Sequence, residues 1–340
     1  MLNCDEIKSV LVHVGLDRLG DGLLKLPFVR GLRRAFPNAQ LTWFAGKETT
    51  VYARALAHSV SNDIDEIIEF GGVGLTPKEL FGKRPLADRH FDLVIDTQRN
   101  FWTALSAKRI RHQYFLSPAA KFLLSSVRPP RTYKFPKSMQ RQMLDLLELC
   151  SQLSFPTQRT LDLHIPEHHQ ENARALLPGD TRYIGFAPGS GGRPKCWPLD
   201  RFIEVAKLIE TEGGTPVFLI GPQEEEWATT ITAQIPSAVL PLQIGDGPAK
   251  HGYDPLLSIA LGQRLKAAIS NDSGIAHMLA VAGAPLVTLY GPTVHEKFPP
   301  MAENIHVIRA EDYGSREMSS IPVAPVAAAI KDLLAQPDGA

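Results

Sequence analysis

Short apolar runs recur along this chain, each followed by a stretch with helical spacing. In the first half they are Val10-Leu-Val-His-Val14, Leu41-Thr-Trp-Phe-Ala45, Glu66-Ile-Ile-Glu-Phe70 and Leu93-Val-Ile-Asp96. In the second half they are 183–187, 217–220, 267–269 and 286–289. Strands that are apolar on successive residues are buried on both faces, which is the condition of a parallel sheet covered by helices. Helices are expected from about Gly22 to Phe36, near 50–58, over 137–153 and over 199–209. The segment from Phe155 to Leu177, which holds Pro156 and Pro166, reads as a linker. The pattern predicts an α/β fold of two Rossmann-like domains, 1–165 and 166–340, with a cleft between them. At 340 residues the chain has the length for two such domains.

Two of the strand-to-helix turns are rich in small residues. One is Ala187-Pro-Gly-Ser-Gly-Gly-Arg-Pro-Lys195-Cys-Trp-Pro198 and the other Ser270-Asn-Asp272-Ser-Gly274-Ile-Ala-His277. Small residues there leave backbone N–H groups free at a helix N-terminus, a common seat for phosphate. One such turn occurs in many α/β proteins. Two in one half, one of them carrying Lys195, point to a nucleotide diphosphate.

Hydrophobic residues make up 44% of the chain and charged residues 21%, the proportions of a soluble globular protein. No apolar run approaches the ~18 residues that span a bilayer. The start of the sequence lacks the basic and apolar regions of a signal peptide. The three cysteines have no metal-type spacing, so a reducing, cytoplasmic location without structural zinc is expected. Net charge is zero, yet residues 1–165 carry 23 Lys and Arg against 16 Asp and Glu. From Thr97 to Leu144 there are ten basic residues and no acid. A solvated face normally mixes signs, so this stretch suggests an anionic partner, the plainer alternative being a basic face that aids solubility. Nucleic acid is disfavoured, because no nucleic-acid-binding motif accompanies the charge.

Several motifs, taken in order, resemble a known family. They are Gly20-Asp21-Gly-Leu-Leu-Lys-Leu-Pro27 ahead of Leu32-Arg-Arg-Ala-Phe-Pro37, Pro188-Gly-Ser with Lys195-x-Trp-Pro198, Asn271-Asp-Ser-Gly274-x-x-His277, and Leu289-Tyr-Gly-Pro-Thr293. Together they are similar to the ADP-heptose:lipopolysaccharide heptosyltransferases. The resemblance implies a GT-B fold and inverting, metal-independent glycosyl transfer without a cofactor. It implies a nucleotide-sugar donor held by the C-terminal domain. It also implies an anionic lipopolysaccharide inner-core acceptor, of Kdo/heptose-lipid A type, held by the N-terminal domain at the inner membrane.

Inverting transfer needs a base for the acceptor hydroxyl and donors for the leaving diphosphate. Asp21, with glycines on both sides, is the candidate base, its alternative role being to cap the following helix; Asp17 is the fallback. Lys195 suits the diphosphate, with Ser190 adding a hydrogen bond, and Ser273 and Gly274 open a helix toward it. Asp272, anionic itself, suits a sugar hydroxyl or the ordering of its loop. His277 is read as a phosphate donor or as the orienter of Asp272, with a core histidine as the alternative, and Thr293 as a phosphate or sugar contact. Gly221-Pro-Gln-Glu224-Glu225-Glu226 follows a strand and opens a helix, a place where a carboxylate can accept from ribose; by the resemblance Glu225 fits the family spacing best, with Glu224 close behind, and acids complementing the helix dipole are the alternative. Arg99, Arg128, Arg131 and Lys134 are expected to meet the acceptor. Rival readings are a transferase for another nucleotide sugar, a nucleotide-sugar epimerase of similar architecture, and a non-catalytic nucleotide-sugar-binding protein.

Overall fold

The apolar runs form strands, and every ladder among them is parallel. The computed structural model describes residues 3–243 and 253–336, which fall into two compact units, Met1–Gln158 and Arg159–Ala340. In chain order the first unit contains β1 (Ser9–Val14), α1 (Leu19–Ala35), β2 (Gln40–Ala45), the single-turn α2 (Ala57–Val60), β3 (Glu66–Ile68), β4 (His90–Asp96), α3 (Phe101–Ala107), β5 (Arg111–Leu116) and α4 (Met139–Ser151). The second contains α5 (Glu167–Leu176), β6 (Tyr183–Ala187), α6 (Leu199–Thr211), β7 (Thr215–Phe218), α7 (Trp227–Gln234), α8 (Pro255–Gly262), β8 (Ala267–Asn271), α9 (Gly274–Val281), β9 (Leu286–Tyr290), β10 (Ile305–Arg309) and α10 (Val323–Ala335).

The first sheet has the order β3-β2-β1-β4-β5 and the second β10-β9-β8-β6-β7. Each reverses direction at one place, between β1 and β4 and between β6 and β8. Open parallel sheets bind ligands outside the strand carboxyl ends at such a reversal. Register brings Ala187 beside Ser270 and Asn271 beside Leu289, so the two glycine-rich turns emerge next to each other. On one side of the second sheet, Trp197, Phe202, Ile209, Ile321, Ile330 and Leu333 join the core with the strand side chains Phe186 and Ile269. In the first unit, α1 packs on α4. Ser138 caps α4, its hydroxyl accepting from Arg141 N.

Some sequence expectations shift. The boundary expected at 165 falls instead at Gln158. The Gln140 side chain of α4 pairs with Gln158 through both its amide N–H and its carbonyl, at 3.2 and 3.1 Å, tying that segment to the first unit. The helix expected near 50–58 is a 3-10 turn, Val51–Ala53, followed by α2. Strands β5 and β10 lacked an uninterrupted apolar signal; Arg111 and Gln113 of β5 face solvent.

Asp17, the fallback base, is a buried structural node. It is 3% exposed and pairs with buried Lys25. Trp43 Nε1 and Thr50 Oγ1 donate to its second oxygen at 2.8 and 3.0 Å. The loop after β1 is thereby fastened to β2, to the turn at Thr50 and to α1. Asp17→Ala should destabilise the first unit by about 3–5 kcal/mol, because it leaves the Lys25 ammonium buried without its counter-charge. Urea denaturation followed by far-UV circular dichroism checks this, with Asp21→Ala as the control that stays near wild type.

Candidate functional site

Parallel pairing places the working ends of the second unit together, and one carboxamide fixes their spacing. Asn271, wholly buried at the end of β8, donates from Nδ2 to Pro188 O at 2.6 Å. Its Oδ1 accepts from Trp197 N at 3.0 Å. Both ends of the loop 188–197 are thus held against β8. Trp197 is itself buried, donates Nε1–H to Ile321 O at 2.9 Å and packs edge-on against Phe202. Sequence reasoning gave Asn271 no role; its signal was its place directly after the buried run of β8.

Four of the expected donor-site residues come together around Asp272. Its carboxylate accepts from Thr293 Oγ1 at 2.6 Å and lies 3.8 Å from Lys195 Nζ. Its main-chain carbonyl accepts from Ser190 Oγ at 3.3 Å. The Lys195 separation is too long for a tight ion pair, and the half-exposed ammonium stays free to meet an anion. Ser273 is the extended N-cap of α9, with Gly274 next. The Ser273 hydroxyl donates back to Asn271 O at 3.3 Å and makes no cap bond, so the first N–H groups of α9 lack a side-chain acceptor. A helix start without a side-chain cap and a half-exposed lysine at one sheet reversal are groups that can receive an anion.

His277 does not supply a cation to this group. It is buried, and burial pulls its pKa down to about 4, so it is neutral near pH 7. Tyr290, the last residue of β9, is also buried; burial and the nearby Asp272 charge keep its phenol protonated, and its hydroxyl lacks a hydrogen-bond partner among the described residues.

A cavity of about 290 Å³ opens beside the loop, walled by Gly189, Ser190, Ile220, Glu224, Leu242, Ser273, Gly274 and Met278. Apolar walls with a few polar groups suit a nucleoside. The carboxylate in it is Glu224, which corrects the choice of Glu225. Glu225 does not line the cavity; it is exposed and accepts from Oη of Tyr253, a lining residue, at 2.5 Å, a contact that adds to burial in pushing the Tyr253 phenol up to about 12. Glu224 is 6% exposed, and burial raises its pKa against the pull of the Gly221 and Ser190 N–H groups and Arg193. Gly189 makes room for it: a Cβ there would lie 2.7–3.0 Å from the Glu224 carboxyl atoms. A larger hollow of about 840 Å³ lies at the opposite, amino-terminal strand edge. There the Arg264 guanidinium is engaged by the carbonyls of Leu177 and Gly179, away from the edge where such sheets bind ligands.

In the first unit, Asp21 occupies the first turn of α1, half-buried. The N-cap is Arg18 and makes no side-chain cap bond, so Asp21 is not the capping residue. No hydrogen bond or ion pair engages its carboxylate among the described residues. Beneath the sheet reversal of this unit, fully buried His13 meets Asp96 through Nδ1 at 2.8 Å, and Ser117 Oγ donates to the other Asp96 oxygen at 2.7 Å. The serine bonds the aspartate and not the imidazole, the wrong order for a nucleophilic triad. This cluster instead anchors the loops at Gln98 and Ala119.

The expected acceptor residues Arg99, Arg128, Arg131 and Lys134 are all exposed. Arg99 lies over the Phe135 ring, 4.6 Å from its centroid, and Arg128 donates to Leu123 O at 2.8 Å. Three other cations of the acid-free stretch serve the fold. Lys108 bonds Leu124 O, Arg109 bonds the carbonyls of Glu79 and Gly82, and Arg141 bridges Asp145 and Glu148. Among the described residues no three His, Cys, Asp or Glu side chains are grouped to hold a metal ion, and no helix is long and apolar enough to cross a membrane.

Comparison with known proteins adds the family. Lipooligosaccharide heptosyltransferase 2 of Haemophilus ducreyi is 24% identical over 327 residues, covering 89% of each chain. A glycosyl transferase family 9 structure from Veillonella parvula superposes with a TM-score of 0.73 at 23% identity, covering 98% of this chain and 99% of the other. ADP-heptose lps heptosyltransferase II of E. coli gives a TM-score of 0.67 at 21% identity, covering 96% and 98%, and the fold class is that of the GT-B heptosyltransferases. The profile of glycosyltransferase family 9 (heptosyltransferase) matches residues 82–322, from before β4 to the start of α10, and this chain belongs to that family of glycosyltransferases.

Proposed function

We propose that this enzyme transfers heptose from ADP-heptose, with inversion, to an anionic inner-core glycolipid of lipopolysaccharide at the cytoplasmic face of the inner membrane. The observation that carries the reading is the gathering of Ser190, Lys195, Asp272 and Thr293 at one sheet reversal, beside a cavity that holds Glu224. The names of its relatives support the sugar and the acceptor class: a lipooligosaccharide heptosyltransferase and an ADP-heptose lps heptosyltransferase. Glu224 accepts from the ribose hydroxyls, and Ile220, Leu242 and Met278 receive the base. Lys195 and the α9 N-terminus hold the diphosphate without a metal ion or other cofactor. Asp272, braced by Thr293, faces a donor-sugar hydroxyl.

In the reaction, Asp21 takes the proton of the acceptor hydroxyl as its oxygen bonds the anomeric carbon. The bond from that carbon to the diphosphate breaks, and its electron pair leaves with ADP. Charge grows on the diphosphate as this happens, so cations already in place there lower the barrier. Arg99, Arg128, Arg131 and Lys134 receive the acidic groups of the acceptor, since guanidinium forks fit carboxylate and phosphate alike. The surplus of exposed cations draws the protein to an anionic membrane surface.

Thermal shift with a panel of nucleotides tests the donor. ADP should stabilise the protein more than UDP or GDP does; Glu224→Gln should weaken the stabilisation by all three, since each carries the ribose, and Glu225→Gln should leave it intact. Preference for UDP would make this a transferase of another nucleotide sugar.

Asp21→Asn should leave donor affinity nearly unchanged and lower kcat by roughly 10²–10⁴-fold, the range for loss of a general base. Steady-state kinetics with saturating donor measures it; a near-normal kcat would move the base elsewhere.

Lys195→Ala should weaken ADP binding by about 1.5–3 kcal/mol, as for loss of a charge-assisted hydrogen bond. Calorimetric titration reads this directly. EDTA should leave turnover unchanged, and an absolute magnesium requirement would remove Lys195 from its role.

A further inference from the structure

Helix α3 is built inside out. Its small and polar residues, Thr103, Ala104, Ser106 and Ala107, are buried, whereas Phe101 and Trp102 face solvent and Leu105 is half-exposed one turn on. A surface helix ordinarily turns its apolar stripe inward. The elements packed on α3 carry further exposed apolar side chains: Phe81, 93% exposed, on the turn Pro77–Phe81, and Leu123, 56% exposed, directly after the turn Ala119–Phe122. Arg109 holds the first of these turns by the carbonyls of Glu79 and Gly82. Lys108 holds the second segment through Leu124 O at 2.7 Å. Three successive residues there, Ala120, Lys121 and Phe122, have left-handed φ of 47°, 55° and 63°. Backbone strain of this kind persists only where the surroundings enforce it. It turns Phe122 inward onto Phe135 and leaves Lys121 and Leu123 outside.

We infer that this face of the first unit, with Phe81, Trp102 and Leu123 as anchors, inserts into the surface of an anionic lipid bilayer. The inference rests on the membrane-surface reading under Proposed function and extends it from attraction by charge to apolar insertion. Charge complementarity selects the occupant. Lys78, Lys83, Arg84 and Lys121 are exposed around the anchors, and none is ion-paired among the described residues. The neighbouring acids are withdrawn. Glu79 is turned onto the N–H groups of Gly74 and Thr76, and Asp92 onto those of Lys8 and Ser9, so Asp88 is the only exposed acid from 75 to 135. Interfaces between proteins are poor in lysine, whereas a lysine-ringed apolar face with an aromatic anchor is the composition that lies in a headgroup layer.

Trp102 reports on the inference, because Trp43 and Trp197 are fully buried and Trp227 is half-buried under Arg193. The full chain is mixed, without donor or acceptor, with vesicles of phosphatidylcholine alone or of phosphatidylcholine with phosphatidylglycerol. With the anionic vesicles Trp102 emission should shift to shorter wavelength and be quenched by lipids brominated in their acyl chains. Phe81→Ser with Leu123→Ser should weaken partition by roughly tenfold or more. The same pair should leave melting temperature and turnover on a deacylated, water-soluble acceptor unchanged. Unaltered Trp102 emission, or equal partition of the variant, would overturn insertion. Self-association abolished by Trp102→Ser would overturn it in favour of pairing between copies of the chain. Vesicle binding needs no turnover, so failure of the heptose reading would show in the transfer assay and leave this result standing.

Discussion

The two hydrogen bonds of the Asn271 carboxamide set the geometry on which the donor half depends. Parallel pairing delivers five strand ends to one edge, but it does not by itself fix a loop of eleven residues between β6 and α6. One planar group that donates at Pro188 and accepts at Trp197 does so, with Trp197 wedged into the core as the far anchor. Ser190 and Lys195 then lie between two clamped points, and both reach Asp272, the residue next to the clamp. The loop is held in one geometry before any ligand arrives, which spares reorganisation on binding.

The sequence made the second unit easier to read than the first, for a physical reason. A phosphate site is built largely from backbone, so it imposes small residues at strand ends, and those are visible as letters. Lys195, Asp272 and Thr293, which the structure brings together, were singled out from such turns. Glu224 and Glu225 could not be separated, because consecutive residues of a turn point in different directions and the deciding fact is the missing side chain at Gly189, thirty-five positions away. In the first unit, Asp17 and Asp21 are four residues apart and chemically alike; only burial beside Lys25 and Trp43 separates a structural carboxylate from an available one. Strands β5 and β10 were missed because polar residues interrupt their apolar runs, Arg111, His112 and Gln113 in one and His306 and Arg309 in the other.

The acid-free stretch illustrates how one sequence signal divides in three dimensions. Lys108, Arg109 and Arg141 bind carbonyls or acids and hold turns in place. Arg99 lies over an aromatic ring, and Lys121 stands outside on a left-handed backbone. Arginine serves the fold here as readily as it serves a ligand, because its fork caps two carbonyls at once. Counting charges located the face but not the task of each residue.

Gly189 and Glu224 occupy the same few ångströms, and this orders the changes that the lineage of such a chain can accept. Adding a side chain at 189 first drives the carboxylate out of its cavity in a single step. Shortening Glu224 first empties the space, after which 189 is released from glycine. Drift at these two positions therefore runs one way, and a descendant that has filled 189 cannot regain the acid by a single reversal at 224.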